Sequence, residues 1–237
     1  MKINSIYGGM HTAANNVPDG ENVKLLLRHS IRHEKPETDS PDGLLLTNEG
    51  IEMSKYFGQG LTYKIGCMCS SNYKRCIQTL NGIAEGKGLK SNDIKISEEY
   101  LSSVYCYDKE ISNKELRERN GIKNTVFPLC NHEIISGFNT IDETTKKILD
   151  FIFQNGNQPN TLDIFCTHDI NIAILCAAIF GVGNREEFKK DWPMMLEGVF
   201  MWGTRDNFNC AYRNKLIRVQ DLSLIHISEP TRRTPIS

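Results

Sequence analysis

The chain carries almost no net charge. Twenty-eight Lys and Arg residues oppose 29 Asp and Glu, a formal net charge of −1. No global field therefore draws it to nucleic acid or to an anionic membrane surface. Any recognition of an anion has to be local. Long apolar runs are also missing: no stretch approaches the roughly 20 apolar residues of a membrane span. Residues 1–22 hold an early Lys2 but no apolar segment of a secretory signal. The expectation is a cytoplasmic protein with neither nucleic acid nor membrane as partner. The body of the chain has no internal repeat and no low-complexity segment. Cysteine is not scarce, but its spacing is uninformative for metals. Cys67-Met68-Cys69 is not a C-x-x-C pair, and no His stands at zinc-finger spacing. Cys67, Cys166 and Cys176 lie in apolar runs, where free Cys behaves as a small hydrophobe. Free structural thiols are expected, with no metal and no other cofactor.

What remains is an ordinary globular composition, 39% apolar and 24% charged over 237 residues. That is enough for one large α/β domain, with or without a cap. Residues 1–22 are polar and rich in Gly, Asn and Pro, and read as a loose leader. The domain is placed at 23–221. Within it, periodicity weakens over about 98–142, which reads as an inserted cap of short helices and loops. Residues 222–237, His226 included, resemble the translation of a DNA-library adaptor and are set aside from the fold.

Three short apolar runs organise the domain. Val23 to Leu27, apolar but for Lys24, is followed by Arg28, His29 and Arg32. Lys64 to Cys69 ends in Ser70-Ser71-Asn72, which reads as N-cap chemistry, with Arg75 in the first turn of a helix from Tyr73 to about Glu85. Leu162 to Cys166 ends in Thr167-His168-Asp169. Runs of this kind fit strands covered on both faces of a parallel sheet. Thr47 reads as the N-cap of a helix to about Gly58, with Glu49 favouring its dipole. Glu143 to Phe153 has helical spacing, and Ile170 to Phe180 is apolar almost all round, the mark of a buried helix. Ile94 to Ser97 alternates as an edge strand. Asp191-Trp192-Pro193 begins a loop. Gly198 to Trp202 and Asn209 to Val219 look like a closing hairpin across the turn Gly203 to Asp206. His132-Glu133 in the insert reads as surface.

In open α/β sheets ligands sit beyond the carboxyl ends of the strands. If the three runs are parallel neighbours, three Arg, two His and one carboxylate converge. Guanidinium groups bind phosphate through a planar fork and keep their charge. The constellation describes a site for a dianionic phosphoryl group.

The motifs also carry a resemblance. Arg28-His29-Ser30-Ile31-Arg32 resembles the R-H-G-x-R signature of the histidine phosphatase superfamily. Thr47-Asn48-Glu49-Gly50 resembles the L-T-x-x-G that follows it. Ser70-Ser71-Asn72-Tyr73-Lys74-Arg75-Cys76-Ile77-Gln78-Thr79 resembles its S-S-x-x-x-R-x-x-Q-T segment, and Thr167-His168-Asp169 its H-D motif. The pattern is closer to the acid phosphatase and phytase branch than to the phosphoglycerate mutase branch. The resemblance implies a three-layer α/β sandwich with a mostly parallel central sheet, phosphoglycerate mutase-like, bearing a small inserted cap. It implies a metal-independent phosphomonoester hydrolase acting on a small phosphorylated metabolite. His29 would be the nucleophile that becomes a phosphohistidine and Asp169 the general acid. Arg28, Arg32, Arg75 and His168 would hold the phosphoryl oxygens. A phosphoryl-transferring mutase and a non-catalytic phospho-ligand binder are the alternatives. Two departures stand out. Ser30 replaces the usual Gly, so it either crowds the backbone beside the phosphate or adds a hydroxyl donor. Arg32 is followed by His33-Glu34 rather than by Pro.

Overall fold

A computed structural model of the protein describes residues 1–34, 44–90 and 93–220. One seven-stranded sheet forms its centre. The strands are β1 (Asn22–Arg28), β2 (Lys64–Ser70), β3 (Ile94–Ile96), β4 (Thr161–Thr167), β5 (Gly198–Thr204), β6 (Asn207–Tyr212) and β7 (Lys215–Gln220). Their spatial order is β3-β2-β4-β1-β5-β6-β7. The first four in that order run parallel, and β5, β6 and β7 complete the sheet by antiparallel pairing. The helices are α1 (Gly8–Asn15), α2 (Asn48–Gly60), α3 (Lys74–Gly86), α4 (Glu98–Leu101), α5 (Lys109–Glu118), α6 (Ile122–Cys130), α7 (Ile141–Gln154), α8 (Asp169–Phe180) and α9 (Arg185–Lys190).

The apolar runs are strands covered on both faces, as their lack of alternation requires. Leu25 and Leu27 belong to a core shared with α1, α2 and α3, whereas Leu26 faces the core beneath α7 and α8. Lys24 interrupts the run without surfacing. It is 2% exposed, and its Nζ donates to Asp163 Oδ2 at 2.8 Å and to the carbonyls of Asn155 and Gly156. Asp163 also accepts from the backbone N–H of Cys67 at 2.7 Å, where the β2–β4 register shifts. The pair thus closes a local gap in the ladder, since a buried charge has to be fully partnered.

Several expectations are corrected. Residues 1–22 are not a loose leader. α1 packs on β5 and β6, burying Met10, Ala13 and Ala14, and Ile3 and Val17 join the same core. Short apolar residues among Gly and Asn leave little periodicity to read, but the sheet surface supplies their partner. The closing hairpin is a three-stranded meander. Its second arm breaks at Arg213, which adopts φ 53°, and returns as β7. Helix α9, built on an Asn184–Glu187 capping box, was not foreseen. Ser70-Ser71-Asn72 does not cap α3: the N-cap position is Tyr73, with no side-chain bond. Thr47 does cap α2, accepting from Gly50 N at 3.0 Å.

Residues 98–142 contain α4, α5 and α6, and Val126, Leu129 and Ile135 pack against Ile170, Ala173 and Ile174 of α8. All eight cysteines are free. No helix among the described residues is long and apolar enough to cross a membrane. The segment 222–237 and most of the loop 33–46 lie outside the described residues.

Candidate active site

Strand order decides where the reactive ends fall. β4 lies between β2 and β1, with Arg28 in register with Thr167 and Ser70 with Cys166. The three carboxyl ends are therefore level at one edge. A pocket of about 170 Å³ opens there, and Arg28, His29, Arg32, Arg75, His168 and Asp169 all line it. Every residue expected at the site is present in this one pocket.

His29 follows β1 directly, its N–H bonded to Thr167 O at 3.1 Å, and it is 3% exposed. Its Nδ1 lies 2.8 Å from Ser30 O. A carbonyl only accepts, so Nδ1 carries the proton and Nε2 keeps its lone pair. Burial pushes the imidazole well below its ordinary value of 6.5, and nearby His168, Arg75 and Arg28 push the same way. The ring is a neutral imidazole, and among the described residues no hydrogen bond is made at its Nε2.

Ser30 neither crowds the pocket nor donates into it. Its hydroxyl donates to Gly50 O at 2.7 Å and its N–H to Thr79 Oγ1 at 3.0 Å, so it ties the first motif to α2 and α3. Gly50 lies against the same turn: a Cβ there would sit 2.0 Å from Ile31 O.

His168 occupies the N-cap position of α8. Arg75 Nη2 lies 3.2 Å from its Nδ1 and Ser71 Oγ lies 3.2 Å from its Nε2. Arginine only donates, so Nδ1 accepts, and Nε2 faces Ser71. Tyr73 stands edge-on to His168 at 4.9 Å between centroids, and the Arg75 guanidinium lies 4.5 Å over the Tyr73 ring. The two imidazoles, His29 and His168, are 5.6 Å apart.

Asp169 begins α8. Its Oδ2 accepts from Arg28 Nη2 at 2.9 Å and from Trp192 Nε1 at 3.0 Å, and its Oδ1 from Ile170 N at 3.0 Å. Arg28 also donates to Pro193 O at 2.6 Å. Arg32 is half-buried at the rim, donating to His33 O at 2.8 Å, with its backbone bridged to Leu46.

The rest of the rim comes from distant parts of the chain. Thr167 Oγ1 donates to Leu101 O at 2.7 Å, and Ser102 Oγ to Asn72 Oδ1 at 2.6 Å. These bonds fix the start of the insert, so Ser102, Ser103 and Tyr105 form one wall. Tyr73, Tyr105 and Trp192 were not foreseen as site residues. Tyr73 stands inside the motif that gave Arg75, so its signal was present. Tyr105 lies where periodicity fails, and Trp192 in a stretch legible only as a loop. His132 and Glu133 are exposed and do not line the pocket.

No protein-family model and no curated protein sequence matches the chain. Solved structures share its fold. The native mycobacterial glucosyl-3-phosphoglycerate phosphatase is 11% identical at a TM-score of 0.50, over 84% of this chain and 99% of that one. A protein described as mycobacterial hydrolase 2 is 10% identical at 0.52, over 87% and 97%. At such identities the likeness is one of fold: the α/β architecture around this mixed sheet is that of known structures, a phosphatase among them. The chemistry has to come from the site itself.

Proposed function

We propose that the protein is a metal-independent phosphomonoester hydrolase of the histidine phosphatase superfamily, acting through a phosphohistidine at His29. One observation carries this reading. A buried imidazole has its Nδ1 committed to a carbonyl and its Nε2 lone pair available, in a pocket that also presents three guanidiniums. That is an activated nucleophile beside an anion clamp. The tie of the first motif to α2 and α3 through Ser30 supports the same reading, because it holds His29 on rigid elements.

In the proposed cycle, Arg28, Arg32, Arg75 and His168 hold the phosphoryl oxygens. His29 Nε2 attacks phosphorus in line as the P–O ester bond breaks, and the leaving oxygen takes a proton from Asp169. Water then attacks the phosphohistidine, gives a proton to Asp169 and releases inorganic phosphate and free His29. Both contacts of Asp169 Oδ2 are to donors, Arg28 and Trp192. Substrate oxygens that compete for Arg28 would release Asp169 to turn toward the leaving group. Positioning and charge neutralisation carry most of phosphoryl transfer, so this set suffices without a metal. The segment 98–142 is the cap, covering the pocket with Tyr105 and Ile122, and the substrate is a small phosphorylated metabolite.

Release of phosphate from p-nitrophenyl phosphate in EDTA, from about pH 4 to pH 9, tests the reading. Turnover should persist in EDTA and vanish in His29→Ala. Transfer of the phosphoryl group to an added alcohol or phosphometabolite in place of release would replace hydrolase by mutase. A folded protein that binds phosphate but neither releases nor transfers it would leave a phospho-ligand binder.

A further inference from the structure

The catalytic pocket does not end at Asp169. A groove of about 530 Å³ continues from it, and the two share Asp169 and Ile122 in their walls. The groove runs along the start of α6 and the end of α9, with Lys123, Asn124, Lys189 and Trp192 on its sides. A different groove opens beside Ser103. It does not reach Asp169, and its Glu98 and Glu99 match its Lys109 and Lys147. Only the first groove therefore lies on the leaving-group side. That placement rests on the hydrolase reading, in which the departing oxygen takes its proton from Asp169 and the molecule it belongs to lies beside that carboxyl.

The charges along this continuous space do not balance. Among the described residues, Arg28, Arg32 and Arg75 line the pocket and Lys123 and Lys189 the groove, against the single carboxylate of Asp169. Carboxylates nearby change this little. Glu186 stands 3.4 Å from Lys189 Nζ but is 83% exposed, so it offsets that lysine weakly. Asp191, next to Trp192, is turned to Arg213 at 3.3 Å. Lys123 has no carboxylate partner among the described residues. Its Nζ donates to Lys189 O at 3.0 Å and lies 5.6 Å from the Trp192 ring centroid, which holds the ammonium over the groove.

A phosphomonoester brings a charge of about −1.5 to −2. Bound by the three guanidiniums, it leaves the two lysines unanswered. We propose that the leaving half of the substrate carries a second anionic group, a carboxylate or a second phosphate, bound by Lys123 and Lys189. The insert at 98–142 then sets specificity through Lys123, while the phosphoryl group is held by the strand ends.

Phosphonates test this without turnover, because their P–C bond is not hydrolysed. The probes are 4-carboxybenzylphosphonate, its uncharged counterpart 4-carbamoylbenzylphosphonate, and 1,4-xylylenebisphosphonate, titrated by calorimetry at pH 7. The carboxylate should bind about threefold to fivefold more tightly than the carbamoyl compound, the range of an exposed ion pair. Lys123→Ala should bring that ratio close to one, and Lys123→Glu should invert it. Lys109→Ala, in the other groove, should keep it, which a diffuse positive field would not allow. Of the carboxylate and the bisphosphonate, the tighter binder names the second group. Equal binding of the carboxylate and carbamoyl compounds by the wild-type protein would overturn the inference, as would a preference that survives in Lys123→Ala. The two readings fail separately. Hydrolysis of p-nitrophenyl phosphate without a preference among the phosphonates overturns the second-anion site alone. A Lys123-dependent preference without hydrolysis overturns the hydrolase and keeps the site.

Discussion

Arg28 and Asp169 face each other across the boundary of two parallel strands, Nη2 to Oδ2 at 2.9 Å, with side chains only 12% and 21% exposed. The end of β1 thus holds the start of α8. The same guanidinium is a phosphate ligand in the proposed cycle, and the same carboxylate is the acid. In that cycle each is committed to the other until substrate separates them.

Replacing Asp169 by Asn should therefore have two effects of opposite sign. The acid is lost, so turnover of alkyl phosphates with poor leaving groups should fall by about 10²–10⁴. Turnover of p-nitrophenyl phosphate, whose leaving group needs little protonation, should fall far less. Arg28 is freed, so inorganic phosphate should inhibit more strongly. A leaving-group series with both enzymes checks this; equal losses across the series would remove Asp169 from the acid role.

The buried His29 makes a prediction about pH. Its folded-state value lies well below the ordinary 6.5 because burial disfavours the cation. Between those two values the unfolded chain binds the extra proton and the native one does not. Stability conferred by this residue is therefore lost as pH falls below about 6.5. Urea denaturation at several pH values should show a shallower acid loss in His29→Gln than in the wild type. By the same shift, the acid limb of kcat/KM assigned to the nucleophile should lie below 6.5.

Ser30 and Gly50 separate stability from catalysis. Ser30→Gly removes the hydroxyl bond to Gly50 O and should cost about 1 kcal/mol, with activity largely kept, since the hydroxyl is turned away from the pocket. Gly50→Ala forces a Cβ against Ile31 O. It should cost about 1–3 kcal/mol and also reduce activity, because the displaced turn carries His29 and Arg32. Denaturant midpoints at unchanged m-value, read beside kcat/KM, distinguish the two.

Tyr73 should matter through its neighbours. It lies under the Arg75 guanidinium and edge-on to His168. Tyr73→Leu should weaken phosphate binding by the equivalent of about 0.5–2 kcal/mol, seen as a raised inhibition constant and KM with a smaller change in kcat. A loss confined to kcat would indicate that the ring acts on the chemical step.

The sequence by itself determined the local elements and named the residues that meet in the candidate pocket. Strand runs, the Thr47 cap and the helices α7 and α8 were legible because periodicity and capping act within a few residues. The six charged and imidazole residues were legible because each stands at the end of such an element. Tertiary structure decided the rest. The order β2-β4-β1 brings the three ends level, and no local signal specifies strand order. Ser30 turns to Gly50 rather than to the phosphate because α2 approaches there. The first 22 residues pack because β5 and β6, nearly 200 residues away in the chain, complete their apolar surface. Tyr105 reaches the pocket, and Trp192 reaches Asp169 at its edge, for the same reason: their places come from long-range contacts that residue spacing does not encode.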